Sequence, residues 1–539
     1  MHRNNSFIPA KHWMFFFSLL VVVGMCVSVI GCQKKDDGRL KNHLYLRLSN
    51  NPTTLDPALI TDVQGGGIAA KLFNGLVRFN ENLDIVPDLA FSWKLSENQL
   101  VYSFRLRRDI RFHNGKKITA HDVRYSFERV LKPSTRAPLT WVLDRIDGAK
   151  EFIAGKTERV SGIHVVNDHT LTIRLTKPFG PFLSLLAMTT ASIVPREEVE
   201  RLGPDFGTHP IGSGPYSLTE WKHGQHLILA AREDYFEGKP KLQGIVYRII
   251  PENLTAVMEF ETGRLDVLLI PASEYRRYTT DPTWRDLVQG RTGLNTYYLG
   301  LNCTRPPFDD VRVRRAVNLA VDRQHILNTV LEKRGVLATG PIPPGLWKNK
   351  NWSRMLKGYS YDPVAAQELI REAGAEGKTI RIFISIEDTE VLDLVEVISS
   401  YLEKVGLGVE IVQLDWSALK QAVQDGEPDA FWLSWWADYP DPEDFLFPLF
   451  HSSSIGSGGN RTRCSDPELD RLIEAAQATM DERERFRLYQ RAEDRVIRNA
   501  PWIFMWHKAD YYVVQPWVKD FRVYPLYSID KRVDVTITK

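Results

Sequence analysis

Apolar and polar residues alternate through several short stretches of the chain and follow a helical period through others. Leu44-Tyr45-Leu46-Arg47-Leu48, Val101 to Leu106 and Thr170 to Leu175 alternate and predict strands. Thr119-Ala120-His121-Asp122 opens a helix with Val123, Phe127 and Val130 on one face, which Lys132-Pro133 stops. Leu227 to Ala230 and Thr296 to Leu301 read as strands, and Asp309 to Val321 as a helix. Helix Pro363 to Ala373, strand Thr379 to Ser385, helix Val391 to Val405 and strand Val409 to Leu414 then follow in turn, an order that predicts an α/β lobe. Glu468 to Arg498 is predicted to be strongly helical, with extended structure returning from Trp502 to Trp506.

The N-terminus has a different pattern. Arg3, Lys11 and His12 precede an apolar run from Trp13 to Ile30, broken only by Ser18, Gly24 and Ser28. A run of about 20 apolar residues is long enough to span a bilayer. Val29-Ile30-Gly31-Cys32 nevertheless resembles the lipobox of bacterial lipoproteins, in which the cysteine carries the lipid. That resemblance implies a signal peptide over residues 1–31, lipidation of Cys32, and a polar tether over 32–42 that holds the protein to a membrane outside the cytoplasm.

The 508 residues from Cys32 onward predict two to four lobes at roughly 150 residues each. With 69 basic against 67 acidic residues, nothing pulls the chain toward nucleic acid. Cys303 and Cys464 remain once Cys26 and Cys32 are set aside, and the sequence leaves open whether they approach. No second apolar span, metal-ligand spacing, nucleophile elbow or phosphate-binding loop is present, so the reading is a binder rather than an enzyme, with no cofactor and no metal.

The densest unusual stretch runs from Phe431 to Pro442. Alternation places Phe431, Leu433 and Trp435 on one strand face and Trp432, Ser434 and Trp436 on the other. Both faces are apolar, which predicts an interior strand, and the prolines end it, leaving Asp438 at its mouth. A carboxylate beside tryptophans suits an ammonium group. It equally suits a cap on the following turn.

Trp435-Trp436-Ala437-Asp438-Tyr439 resembles the segment of oligopeptide-binding proteins that holds a peptide's α-amine. Similar matches run in order along the chain: Leu55-Asp56-Pro57, Phe73-Asn74-Gly75-Leu76-Val77, Phe112-His113-Asn114-Gly115, Gly214-Pro215-Tyr216, Pro307 to Arg314 and Gln515-Pro516-Trp517. The chain is therefore similar to the extracytoplasmic solute-binding proteins of the peptide, opine and nickel class that serve ABC importers. The resemblance implies an α/β periplasmic-binding-protein-like fold of three lobes: lobe I from 43–77, 208–297 and 509–539, lobe II from 78–207, and lobe III from 298–508. It implies a monomer that captures an oligopeptide between lobes I and III as an added strand and passes it to permease subunits. Asp438 would take the amine beside Trp435. Ser434 and Trp436 would offer backbone groups from one side, and Thr61, Asp62 and Val63 from the other. Trp416 matches a pocket wall, and Trp506 and His507 fall near an aromatic pocket. Where the family places basic residues for a peptide carboxylate, this chain carries Glu390, Val423 and Trp432. Other ligands of the same class (nickel-chelate, haem, opine) and other lipoprotein roles (a sensor, a cell-wall hydrolase) remain alternatives.

Overall fold

The computed structural model describes residues 39–346, 356–386, 389–456 and 459–539. The export segment, Cys32 and most of the tether lie outside these. Among the described residues, no helix is long and apolar enough to cross a membrane.

Three main sheets organise the chain. In the first, His43–Leu48 runs parallel to Gly244–Ile249, with His226–Ala231 and Tyr216–Lys222 added antiparallel. The second is an antiparallel sheet of Ala90–Leu95, Val101–Leu106, Thr170–Arg174 and Ile163–Asn167. The third sheet is mixed. Gly408–Leu414, Thr379–Ser385 and Ala430–Trp436 are parallel to one another, and Ala430–Trp436 then pairs antiparallel with Asn295–Leu301. The next strand, Trp502–Val514, meets Asn295–Leu301 along its first half and Val267–Leu269 and Val288–Thr292 along its second.

The periodicity explains which faces are buried. The first sheet has its own core around Leu44, Leu72, Tyr216 and Leu229. The second sheet shares a continuous core with one face of the third, where Phe431 and Leu433 meet Phe445 and Phe504. Trp432 and Ala430 point into a separate core on the opposite face. The alternation read from Phe431 to Trp436 is thus a partition between two apolar layers.

Helix Ala120–Leu131 begins where expected, with Asp122 accepting a hydrogen bond from the Thr119 amide at 2.8 Å. The helical stretch from Glu468 to Arg498 is divided into two helices, Pro467–Ala478 and Glu482–Asn499. Thr479 leaves the helical conformation, and Asp481 caps the second helix by accepting from the Glu484 amide at 2.8 Å, a local competition that favours a restart. The Cys303 amide donates to the Thr462 carbonyl at 2.8 Å, and the Cys303 and Cys464 thiols are both free.

Candidate functional site

The strand Ala430–Trp436 ends the site's scaffold. One of its edges is paired along its whole length with Asn295–Leu301. On the other edge, Thr379–Ser385 meets only Ala430 and Phe431. Residues 432–436 therefore face no strand on that side among the described residues. The Ala437 amide donates to Leu294 across the paired edge. Because backbone direction alternates along a strand, the amide and carbonyl groups of Ser434 and Trp436 point to the open edge. An open edge with oriented donors and acceptors is a template for an added strand.

Three carboxylates follow, and the structure divides their work. Asp441 accepts from the Glu443 amide at 3.0 Å and pairs with Arg485 at 3.2 Å. Asp444 accepts from the Asp438 amide at 3.0 Å and from the Trp435 indole at 3.4 Å. The turn is therefore capped by its neighbours. The Asp438 carboxylate makes no hydrogen bond or ion pair among the described residues and is exposed in the space beyond the strand. Enclosure by surrounding protein still removes bulk hydration and raises its carboxyl to about 6. Burial, then the Asp438 charge, hold Asp444 well above the usual carboxylate range. Nothing in the sequence marked Asp444 as the residue that orients this loop.

The opposing wall is helix Val63–Leu72. Asp62 caps it by accepting from the Gly65 amide at 2.7 Å, which leaves Thr61 and Val63 exposed at its tip, Val63 at 61%. Between the two walls lies Tyr527, which no sequence pattern singled out. Burial, followed by the charges of Asp438 and Asp62, pushes its phenol up to about 12, so both carboxylates lie near it. Its ring rests on Gly66, where an added Cβ would meet Cε2 at 2.4 Å. The turn bearing Tyr527 is anchored by buried Lys71, which bonds the Gly67 and Asp530 carbonyls at 2.8 Å each. Gly66→Val is expected to displace Tyr527 and destabilise the protein by about 1–3 kcal/mol, as overpacking does; a thermal melt together with ligand titration would check it.

The remaining predicted residues divide into two groups. Trp436 is 41% exposed and Trp416 42% exposed, both unusual for large apolar side chains. Trp416 begins helix Trp416–Asp425, directly after strand Gly408–Leu414, so it shares the sheet end at which Asp438 sits. That end is where open α/β sheets place ligands. Tyr297 links Trp436 and Trp432 at 6.4 Å each, and Trp432 meets Trp506 at 5.6 Å, making a continuous aromatic wall. Trp506 and His507 are otherwise interior. His507 Nδ1 lies 2.8 Å from the Asn295 carbonyl and 3.1 Å from the Thr296 hydroxyl, and burial lowers its imidazole to about 4. It is a neutral core residue tying two strands together. Of the positions where basic residues were expected, Glu390 faces Arg334 at 3.7 Å, while Val423 and Trp432 are buried.

A cavity of about 640 Å³ opens beside Asp438 and Trp435, bounded on its far side by Trp141, Arg145 and Phe179 next to the second sheet. A larger depression of about 1100 Å³ lies along helix Ala120–Leu131, but its charged lining is largely self-paired, with Lys116 between Asp122 and Glu197.

An open strand edge, an unengaged carboxylate and an aromatic wall between lobes of an α/β fold define a periplasmic-binding-protein-like receptor. The sequence places it further. Residues 84–457 match the bacterial extracellular solute-binding proteins, family 5, and the chain belongs to that family. It is 31% identical over 491 residues to heme-binding protein A of Haemophilus influenzae, covering 87% of this chain and 88% of that one. It is 29% identical over 497 residues to the dipeptide-binding protein of Escherichia coli, covering 88% and 91%. The ABC transporter-associated periplasmic binding protein DppA of Helicobacter pylori, in complex with the peptide STSA, superimposes with a TM-score of 0.75 at 26% identity, covering 92% of this chain and 98% of that one. These relatives are solute-binding proteins.

Proposed function

We propose that this chain is the lipid-anchored capture component of a peptide importer, tethered through Cys32, which closes on an oligopeptide and presents it to permease subunits. The observation that carries this reading is the Asp438 carboxylate, left without a partner among the described residues at the end of an open strand edge. A peptide's ammonium meets Asp438. Its backbone lies along Ser434 and Trp436, with Thr61, Asp62 and Val63 opposite, and Trp435, Trp436 and Trp416 accommodate its side chains, backed by the buried Trp432–Trp506 pair. His507 keeps these strands in register and does not touch ligand.

Lobe boundaries at 297/298 and 508/509 fall inside two adjacent antiparallel strands, Asn295–Leu301 and Trp502–Val514. The Asn295 side chain accepts from the Lys508 amide at 2.7 Å, linking them at the crossing. These strands are the hinge of the three-lobed arrangement, about which lobe I and lobe III close.

The test is a thermal-shift and calorimetric screen of short peptides, haem and a nickel–histidine chelate against purified protein. Saturable binding of peptides alone supports the reading, and binding of haem or chelate alone overturns it. A haem ligand is the second reading, favoured by the exposed Trp436 and Trp416 rings and by the similarity to heme-binding protein A.

The pH dependence follows from Asp438. An ammonium needs the ionised carboxylate, whose folded-state value is about 6 without ligand. Affinity is therefore flat above pH 7 and falls as pH drops through 6, by about tenfold between pH 7 and pH 5. Titration calorimetry at both values checks this.

A further inference from the structure

We infer that the cavity between Asp438 and the second sheet is a carboxylate subsite, which gives the receptor a preference for peptides whose first residue is acidic. This rests on the peptide reading above and goes beyond it by naming a ligand class.

The cavity has one acidic and one basic side. Asp438 and Trp435 form the first. Arg145, Lys150 and Lys177 line the second, together with the carboxylates of Asp144 and Glu443, and the buried Asp444 lies behind Asp438. Arg145 is preorganised: its guanidinium lies 3.9 Å from the Phe179 ring centre and 5.8 Å from that of Phe447. Aromatic contact fixes the plane of a guanidinium while leaving its edge donors free. Those donors are unused, since Arg145 makes no side-chain hydrogen bond among the described residues. Its ion-pair contact is Glu443 at 3.8 Å. Glu443 is itself engaged by the Gln477 side-chain amide. Lys150 and Lys177 are exposed and have no ion pair or hydrogen bond of their side chains among the described residues.

A planar fork held between rings, with idle donors and two nearby ammonium groups, matches a carboxylate. The ammonium held at Asp438 fixes where the ligand begins, and the cavity starts at Asp438. The group that enters it is then the first side chain. An aspartate or glutamate places its carboxylate across the cavity from its own ammonium, so the two ligand charges meet the two sides of the cavity. A neutral first side chain would leave Arg145 with only its 3.8 Å contact to Glu443 and its hydrogen-bond donors unmet, and a basic one would meet like charge, so discrimination comes from repulsion as well as attraction.

The experiment is calorimetry of Glu-Ala-Ala, Gln-Ala-Ala and Lys-Ala-Ala against wild type, Arg145→Gln, Arg145→Lys and a Lys150→Gln/Lys177→Gln double variant. Wild type is expected to bind Glu-Ala-Ala at least about tenfold tighter than Gln-Ala-Ala. The preference should shrink to about threefold or less in Arg145→Gln and be partly kept in Arg145→Lys, which retains charge without the planar fork. If Arg145→Gln fails to fold, the double variant, whose exposed side chains anchor nothing, should still lose part of the preference. Equal binding of Glu- and Gln-first peptides by wild type overturns this inference and leaves the peptide reading standing. Failure of all three peptides to bind overturns both. Haem binding that weakens in Arg145→Gln, with no peptide bound, would assign these cations to a macrocycle's carboxylates instead and overturn the acidic-peptide assignment.

Discussion

Asp438→Asn is expected to weaken capture of peptides with a free α-amine by at least about 30-fold, because losing one member of an enclosed charge pair costs about 2 kcal/mol or more. The same substitution should slightly stabilise the empty protein. The folded-state carboxyl titrates at about 6, above its ordinary value near 3.8. The unfolded chain therefore ionises first as pH rises, and stability is lost between pH 4 and 6 and stays lost above. Asparagine removes that penalty. Asp438 is exposed to solvent, so screening limits the gain to about 1 kcal/mol at most. Opposite signs for binding and stability at one residue would distinguish a ligand-holding carboxylate from one that caps a turn. A capping residue would lose both.

The largest effect on stability is expected at Trp502. It is 1% exposed and stacks flat on Tyr298 at 3.5 Å between ring centres, with Phe450 at 4.7 Å. Its carbonyl accepts from the buried Asn318 side chain at 2.9 Å. Trp502→Ala removes a large side chain where Trp502–Val514 pairs with Asn295–Leu301, and a loss of about 3–5 kcal/mol is expected. Trp502→Phe, which keeps an aromatic surface, should lose less. Urea unfolding followed by tryptophan fluorescence measures both. A midpoint for Trp502→Ala equal to wild type would mean that the stack contributes little to holding these strands together.

Local rules made the elements legible. The Thr119–Asp122 cap, the alternating strands and the helix–strand order from Pro363 to Leu414 are encoded in adjacent residues, and the structure follows them. The break at Thr479–Asp481 was hidden because helical composition continues on both sides of a short capping signal. Asp438 could be found from its neighbours, since tryptophans and prolines mark the end of a buried strand. Its lack of a partner could not, because that depends on Asp441 and Asp444 taking the capping bonds. Tyr527 and Arg145 were invisible for a different reason. They lie 89 residues after and 293 residues before Asp438 in the chain, and only the packing of the C-terminal turn on Gly66 and of the second sheet on the third brings them near it. His507, which the family resemblance placed near an aromatic pocket, has its ring within hydrogen-bond distance of the Asn295 carbonyl and the Thr296 hydroxyl, contacts that sequence position does not reveal.

The central claim is that Asp438 receives a ligand's ammonium. Calorimetry of one peptide with a free α-amine and the same peptide acetylated at that amine, against wild-type protein at pH 7.5, tests it most directly. The free peptide should bind, and acetylation should weaken it by at least about 30-fold, since it removes the charge proposed to meet Asp438. Equal affinity for the two forms would contradict the account, whatever else the cleft holds.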